Sequence, residues 1–200
     1  YIQDNDATVE IFVDHAVEVS GLNTDGVIVV KTIKEAFNIL EGSNLKASTI
    51  KKVYIKNGTY FEKLSLNIPN VHLIGESQAQ TIIDYDAASG SLTPELGTWG
   101  TQGSATFTVN SNAKGFIAHN LTFSNSFDYY GSNIKDKQAV ALVTQADQAI
   151  FYQVSFLGLQ DTLYAKDGRQ WYLDVYVEGI VDYVFGNGGP AFFENSEFKT

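Results

Sequence analysis

The sequence has no cysteine and no methionine, three prolines, two tryptophans and few positive charges. Without cysteine there can be no disulfide, no thiolate metal site and no cysteine nucleophile. Thirteen Lys and Arg stand against 23 Asp and Glu, a net charge of −10. Nucleic acids and anionic membranes are held through basic patches, so neither is an expected partner. No apolar run reaches the roughly 18 residues of a membrane span. Pro-rich, Ser-rich and long charged linkers are also lacking, so residues 1–200 read as one domain. A chain of this length buries about 70% of its unfolded surface. His15, His72 and His119 lie far apart in sequence. They give no metal-ligand spacing, and nothing supports a serine–histidine triad. The chain starts at Tyr1 with no charged-then-apolar leader.

What is present is a repeat. The segments 119–123, 152–156, 173–177 and 194–198 align without gaps at offsets of 33, 21 and 21 residues. Each alternates polar and mostly apolar residues with period two, which predicts a half-buried strand. Asn125, Gly158 and Gly179 follow the first three strands, and these residue types suit a left-handed turn. A strand and a turn recurring at this period predict an all-β solenoid. Phe127 to Lys137 is an insertion that lengthens the first offset, and residues 86–103 are a long Gly/Ser/Thr-rich loop. Nearer the start, strands are predicted at Thr8 to Val13, Ala16 to Val19, Val27 to Val30, Val53 to Ile55, Tyr60 to Leu66, Val71 to Gly75 and Ala105 to Val109. Ile33, Phe37 and Leu40 share one face of a helix ending near Gly42, which is expected to cap the N-terminal end.

Asp161 and Asp182 are three residues past Gly158 and Gly179. Equivalent positions of successive coils stack about 4.8 Å apart, so these two carboxylates are expected on one column. Gln138 precedes a matching apolar run and is expected to join that column. Two carboxylates about 5 Å apart repel by roughly 3 kcal/mol at an effective dielectric near 20, or about two pKa units. One is then an acid and the other an anion at mildly acidic pH. Gln138 and Gln160 add amide N–H donors that can hold an oxyanion. Together these groups suit acyl transfer. Asp128 holds the same offset after Asn125, so the repeat also yields aspartates that are turn residues and nothing more. Tyr129, Tyr130, Tyr164, Trp171, Tyr183 and Phe185 are expected around the aspartates, either as core and strand formers or as walls of a sugar-binding cleft.

Three segments carry a family resemblance: 138–142 (QAVAL), 158–164 (GLQDTLY) and 179–186 (GIVDYVFG). In order and spacing they resemble the signature motifs of pectin methylesterases. Gly58-Thr59-Tyr60-Phe61-Glu62 looks like that family's N-terminal motif, and Arg169 to Tyr172 also fits. The absence of cysteine looks like the bacterial branch. Ile180 stands where the family usually has Thr, and Tyr183-Val184 where it has Phe-Ile. The resemblance implies a right-handed parallel β-helix that hydrolyses the methyl esters of pectin, with no cofactor and no metal, as a secreted or extracellular monomer. It implies Asp182 as nucleophile, Asp161 as general acid and then base, and Gln138 and Gln160 as the oxyanion hole. It further implies that Thr106, Tyr164, Val181 and Phe185 line the substrate cleft. A Leu-Gly-Arg-Pro-Trp motif is expected downstream of Thr200, making these residues roughly the N-terminal two-thirds of a longer catalytic domain. Two other readings are a β-helical glycoside hydrolase of the same polymer and a non-catalytic carbohydrate-binding solenoid.

Overall fold

The computed structural model describes residues 8–23 and 25–200. The chain first lays down β1 (Thr8–Val13), β2 (Gly21–Leu22) and β3 (Ile28–Val30), then α1 (Ile33–Gly42). The Thr32 hydroxyl accepts the Glu35 N–H while the Glu35 carboxylate accepts the Thr32 N–H, a closed capping box. Ile33, Ala36, Phe37 and Leu40 are buried in the core at the N-terminal end, beside β1, β3 and β4. The Glu62 carboxylate accepts the N–H groups of Ile33 at 3.0 Å and Lys34 at 2.9 Å. The glutamate of the 58–62 motif thus meets the positive end of the helix dipole and ties α1 to the solenoid.

From residue 50 onward the chain winds. One coil is β4 (Ile50–Ile55), β5 (Gly58–Phe61) and β6 (Leu64–Leu66). The next is β7 (Val71–Gly75), β8 (Thr81–Tyr85), the single turn α2 (Gly100–Gly103) and β9 (Phe107–Val109). Then β10 (Ile117–Asn125) leads to β11 (Leu142–Thr144), and β12 (Ala149–Leu157) to β13 (Leu163–Ala165). β14 (Gln170–Leu173), β15 (Tyr176–Glu178) and β16 (Val184–Phe185) follow, with β17 (Ala191–Glu194) and β18 (Glu197–Lys199) beginning another coil. Strands of successive coils pair in parallel, so the fold is a parallel β-helix with three faces. The first face runs β1–β4–β7–β10–β12–β14–β17. The second uses β5, β8, the later halves of β10 and β12, β15 and β18. The third runs β6–β9–β11–β13–β16.

Parallel register turns the period-two pattern into columns. Ile11, Val53, Leu73, Ala118, Phe151, Tyr172 and Phe193 form one inner column. Within it the Tyr172 ring stacks on Phe151 at 4.8 Å and on Phe193 at 4.4 Å. Phe123 and Phe156 stack at 5.9 Å on the second face. These rings fill the tube between the faces.

The offsets of 33, 21 and 21 residues match the observed register, but the aligned segments are not straight strands. Asn120, Gln153, Asp174 and Asn195 have φ of 59°, 52°, 52° and 48°. This left-handed column bends the chain from the first face to the second. The Asn120 amide donates to the carbonyls of Gly75 (3.1 Å) and Glu76 (2.9 Å), bracing the bend against the preceding coil. Residues 16–19 are not a strand: the N–H of Ala16 donates to the Asp14 carboxylate and that of Val17 to the Asp14 carbonyl, making a turn. Tyr60 to Leu66 divides into β5 and β6 at a corner.

Candidate active site

A second corner joins the second face to the third, and Gln138, Gln160, Asp161 and Asp182 lie along it. Gly58, Gly158 and Gly179 all lie near corners, yet Gly158 and Gly179 do not adopt the left-handed conformation expected of them. The left-handed residues are the aspartates: Asp161 has φ 64° and Asp182 φ 47°. Aspartate tolerates this region better than most side chains. The two glycines serve close approach instead. A Cβ on Gly158 would lie 2.9 Å from the Thr162 hydroxyl, and one on Gly179 would lie 2.8 Å from the same oxygen and collide with Tyr183.

The register of this corner is fixed by backbone bonds. Gln160 is bridged to Val181. The Asp161 N–H donates to the Val181 carbonyl at 3.0 Å and the Leu163 N–H to the Tyr183 carbonyl at 2.9 Å. The Thr162 hydroxyl donates to the Glu178 carbonyl at 3.0 Å. Asp161 and Asp182 are therefore neighbours on adjacent coils, one strand spacing apart, about 4.8 Å. Gln138 sits differently from the expectation. The Ala139 N–H donates to the Gln160 carbonyl at 3.0 Å, as Asp161 donates to Val181. Gln138 consequently stacks over Gln160 and Val181, beside the aspartate column rather than in it. The match of apolar runs puts Leu142 over Ala165, whereas Leu142 pairs with Leu163; Ala141 and Leu142 both donate to the Thr162 carbonyl, at 2.9 and 3.3 Å, a bulge-like irregularity that makes up one of those two residues at the corner.

The two carboxylates differ in environment. Asp161 is 8% exposed, whereas Asp182 is open to solvent. Burial first, and the neighbouring Asp182 charge second, push the Asp161 pKa up to about 6. The expected asymmetry between the two acids thus comes chiefly from desolvation, with repulsion the lesser cause. The side-chain oxygen of Gln138 is buried without a hydrogen-bond partner, while its backbone carbonyl accepts the Ser89 N–H at 2.7 Å.

Around the acids, Tyr164 and Phe185 stack at 4.2 Å on the outer side of the third face, and Val181 is 40% exposed. Thr106 is fully buried and its hydroxyl donates to the Ser124 carbonyl at 2.7 Å. Its side chain belongs to the wall behind the cleft and is not presented to a ligand, a correction to the sequence reading. Trp171 also departs from expectation. It stands on the outer side of the first face, in register with Ile150 and Phe192, away from this corner. Tyr183 leans on the core, and Tyr129 and Tyr130 pack edge to face within the 127–137 loop. Asp128 accepts the Gly131 N–H at 2.8 Å and is a turn residue.

The two long loops build a wall beside this corner. Gly90 donates to the Asp136 carbonyl at 2.8 Å, linking loop to loop. The Lys166 ammonium reaches across from β13 to the Gln102 amide at 2.6 Å. Lys63, to which no motif or repeat points, lies at the same corner three coils earlier, under the 86–105 loop. No group of three or more metal-ligating side chains occurs among the described residues. No helix among them is long and apolar enough to cross a membrane.

A parallel β-helix with a buried and an exposed aspartate on neighbouring coils, flanked by two glutamine amides, defines the class as a solenoid carrying a carboxylate-pair site. The pectinesterase family profile matches residues 20–200, and the chain belongs to that family. Pectinesterase A of Dickeya dadantii is 41% identical over 178 residues, covering 84% of this chain and 47% of that relative. The chain thus spans about half the length of that curated relative. Among solved structures, pectin methylesterase PemA from Erwinia chrysanthemi superposes with a TM-score of 0.80 at 34% identity, over 99% of this chain and 56% of that one. A pectin methylesterase in complex with a hexasaccharide gives a TM-score of 0.80 at 36% identity, over 94% of this chain and 54% of that one.

Proposed function

We propose that this chain carries the catalytic acids of an enzyme that removes methyl esters from polygalacturonate, giving pectate and methanol. The observation that carries the reading is the carboxylate pair: Asp161, buried and raised to about 6, with Asp182 beside it on the next coil. In mildly acidic solution Asp161 keeps a proton to give away, and Asp182 is the nucleophile of the pair. The Asp182 carboxylate attacks the ester carbon, and the carbonyl oxygen takes up the negative charge. Amide N–H groups of Gln138 and Gln160 hold that oxygen. As the tetrahedral species collapses, Asp161 gives its proton to the departing methoxy oxygen, leaving an anhydride between Asp182 and the sugar acid. Asp161, now an anion, takes a proton from water. The hydroxide adds to the sugar acyl carbon and Asp182 leaves as a carboxylate, while Asp161 again holds a proton.

Tyr164, Phe185 and Val181 offer an apolar surface beside the acids for sugar rings and methyl groups. No step calls for a cofactor. Pectin lies in plant cell walls, so the protein acts outside the cell that makes it, as a monomer. The test is incubation with highly esterified pectin, measuring methanol and new reducing ends together. Methanol without reducing ends is expected. Reducing ends would favour the glycoside hydrolase, and neither product would leave a binding solenoid.

A further inference from the structure

Two lysines play no part in the chemistry above, and both hold the same short element. α2 is a single turn with no side-chain bond at its start and no buried residue of its own. Ordering one isolated turn costs more than its few hydrogen bonds return, so α2 depends on what grips it. The Lys63 ammonium lies 4.6 Å from the ring centre of Trp99, the residue that opens α2, and 5.7 Å from that of Tyr85. It also donates to the Ala105 carbonyl at 2.5 Å. This cage holds the chain just before and just after α2. The Lys166 ammonium donates to the side-chain oxygen of Gln102, within α2, at 2.6 Å. Lys63 precedes β6 and Lys166 follows β13, three neighbours away in the same sheet. α2 is therefore held from two diagonally opposed points of the third face. Among the described residues neither lysine forms an ion pair with a carboxylate, so both charges serve this one turn.

Backbone bonds pass the grip on α2 to the candidate active site. The Gly100 N–H donates to the Ser89 carbonyl at 2.9 Å, and the Trp99 N–H to the Ser91 carbonyl at 3.3 Å. The Ser89 N–H in turn donates to the Gln138 carbonyl at 2.7 Å, and the Gly90 N–H to the Asp136 carbonyl at 2.8 Å. On its other side the Gln138 segment is tied to Gln160 through the Ala139 N–H at 3.0 Å. Gln138 lies between β10 and β11 and belongs to no strand, so these few bonds set where its side chain starts.

We propose that Lys63 and Lys166 are positioning residues: by clamping α2 they hold the 86–105 loop against Gln138 and so aim its amide at the reacting oxygen. The inference rests on the pectin reading of the site, in which Gln138 is an oxyanion donor. It gives the loop a part in the rate of the chemical step, separate from any contact with the sugar chain. An oxyanion donor acts through its placement relative to an oxygen that is gaining charge. A small displacement therefore slows the reaction and leaves binding of the unreacted substrate unchanged.

The test is a double-mutant cycle read by methanol release from highly esterified pectin. Lys166→Met is expected to lower kcat about tenfold with KM unchanged, less than the roughly hundredfold or more lost when an oxyanion donor is removed outright. Gln102→Ala breaks the same bond and is expected to reproduce that loss, and Lys63→Gln to give a similar one. Arginine keeps the charge and the donors, so Lys166→Arg is expected to recover most of the rate. In a Gln138→Ala background Lys166→Met is expected to have no further effect, because the group it positions is gone. A loss of the same size in that background would make Lys166 a general prop for the fold and overturn the inference. An unchanged kcat in the single variants, or a change confined to KM, would overturn it too. Methanol release by the unmutated protein separates the two claims. If it is present, an adverse cycle removes the clamp alone; if it is absent, the esterase reading falls and the clamp's part in the rate with it.

Discussion

Asp161 is maintained against stability. A carboxyl whose folded pKa lies near 6, against 3.8 for the unreacted side chain, binds its proton more tightly folded than unfolded. Between about pH 4 and 6 the native state holds more protons, so stability falls as pH rises through that window. At neutral pH the folded protein carries the full cost of a buried charge, up to about 3 kcal/mol for a shift near two units. Asparagine removes the charge and accepts a φ of 64° as readily as aspartate does. Asp161→Asn is therefore expected to raise the melting temperature at pH 7, with the gain vanishing below about pH 4. Thermal unfolding at several pH values checks this, and a loss of stability at pH 7 would contradict it. Gly179 is the opposite case. Gly179→Ala drives a methyl into Thr162 and Tyr183, and is expected to cost about 1–3 kcal/mol while sharply lowering methanol release. Denaturant midpoints and activity measured on the same preparation test both effects.

At the scale of elements, the solenoid is held by columns. Phe156 touches Phe123, Phe151 and Tyr172, with ring centres 5.6–5.9 Å apart. Phe156→Ala should cost about 3–5 kcal/mol, read from urea unfolding; a change under 1 kcal/mol would mean the stack contributes little. These columns were legible in the sequence because apolar residues recur at a fixed offset. The corners were less so. Asn120, Gln153, Asp174 and Asn195 look like the polar half of a strand alternation, although three of the four are types that favour the left-handed region. Only the recurrence of such types at one repeat position hints at a bend. Gln138 was misplaced by one residue because matching the apolar runs 139–142 and 162–165 overshoots the strand register, in which Leu142 pairs with Leu163, and the double donation to the Thr162 carbonyl that makes up part of the difference leaves no trace in composition. Thr106 matched a cleft position by motif, but whether a threonine faces inward or outward next to a long loop depends on what that loop covers. Lys63 had no signal at all, since its cage is built from residues 22 and 36 positions away in the chain.

For the whole molecule, the winding of the chain turns spacing into chemistry. Two aspartates 21 residues apart become neighbours because parallel pairing carries each coil directly onto the last. Asp161 is buried by the corner it turns, with Asp182 beside it on the next coil. The paired acids and their order were readable from the repeat, while the reason for their inequality, burial ahead of repulsion, needed the three-dimensional arrangement. The most direct test compares methanol release from highly esterified pectin by the unmutated protein and by Asp182→Asn, with circular dichroism confirming that both are folded. The expected result is loss of at least about a thousandfold in rate, the scale of removing a covalent nucleophile. A variant that releases methanol at an undiminished rate would contradict the assignment of Asp182, and with it the mechanism built on the stacked pair.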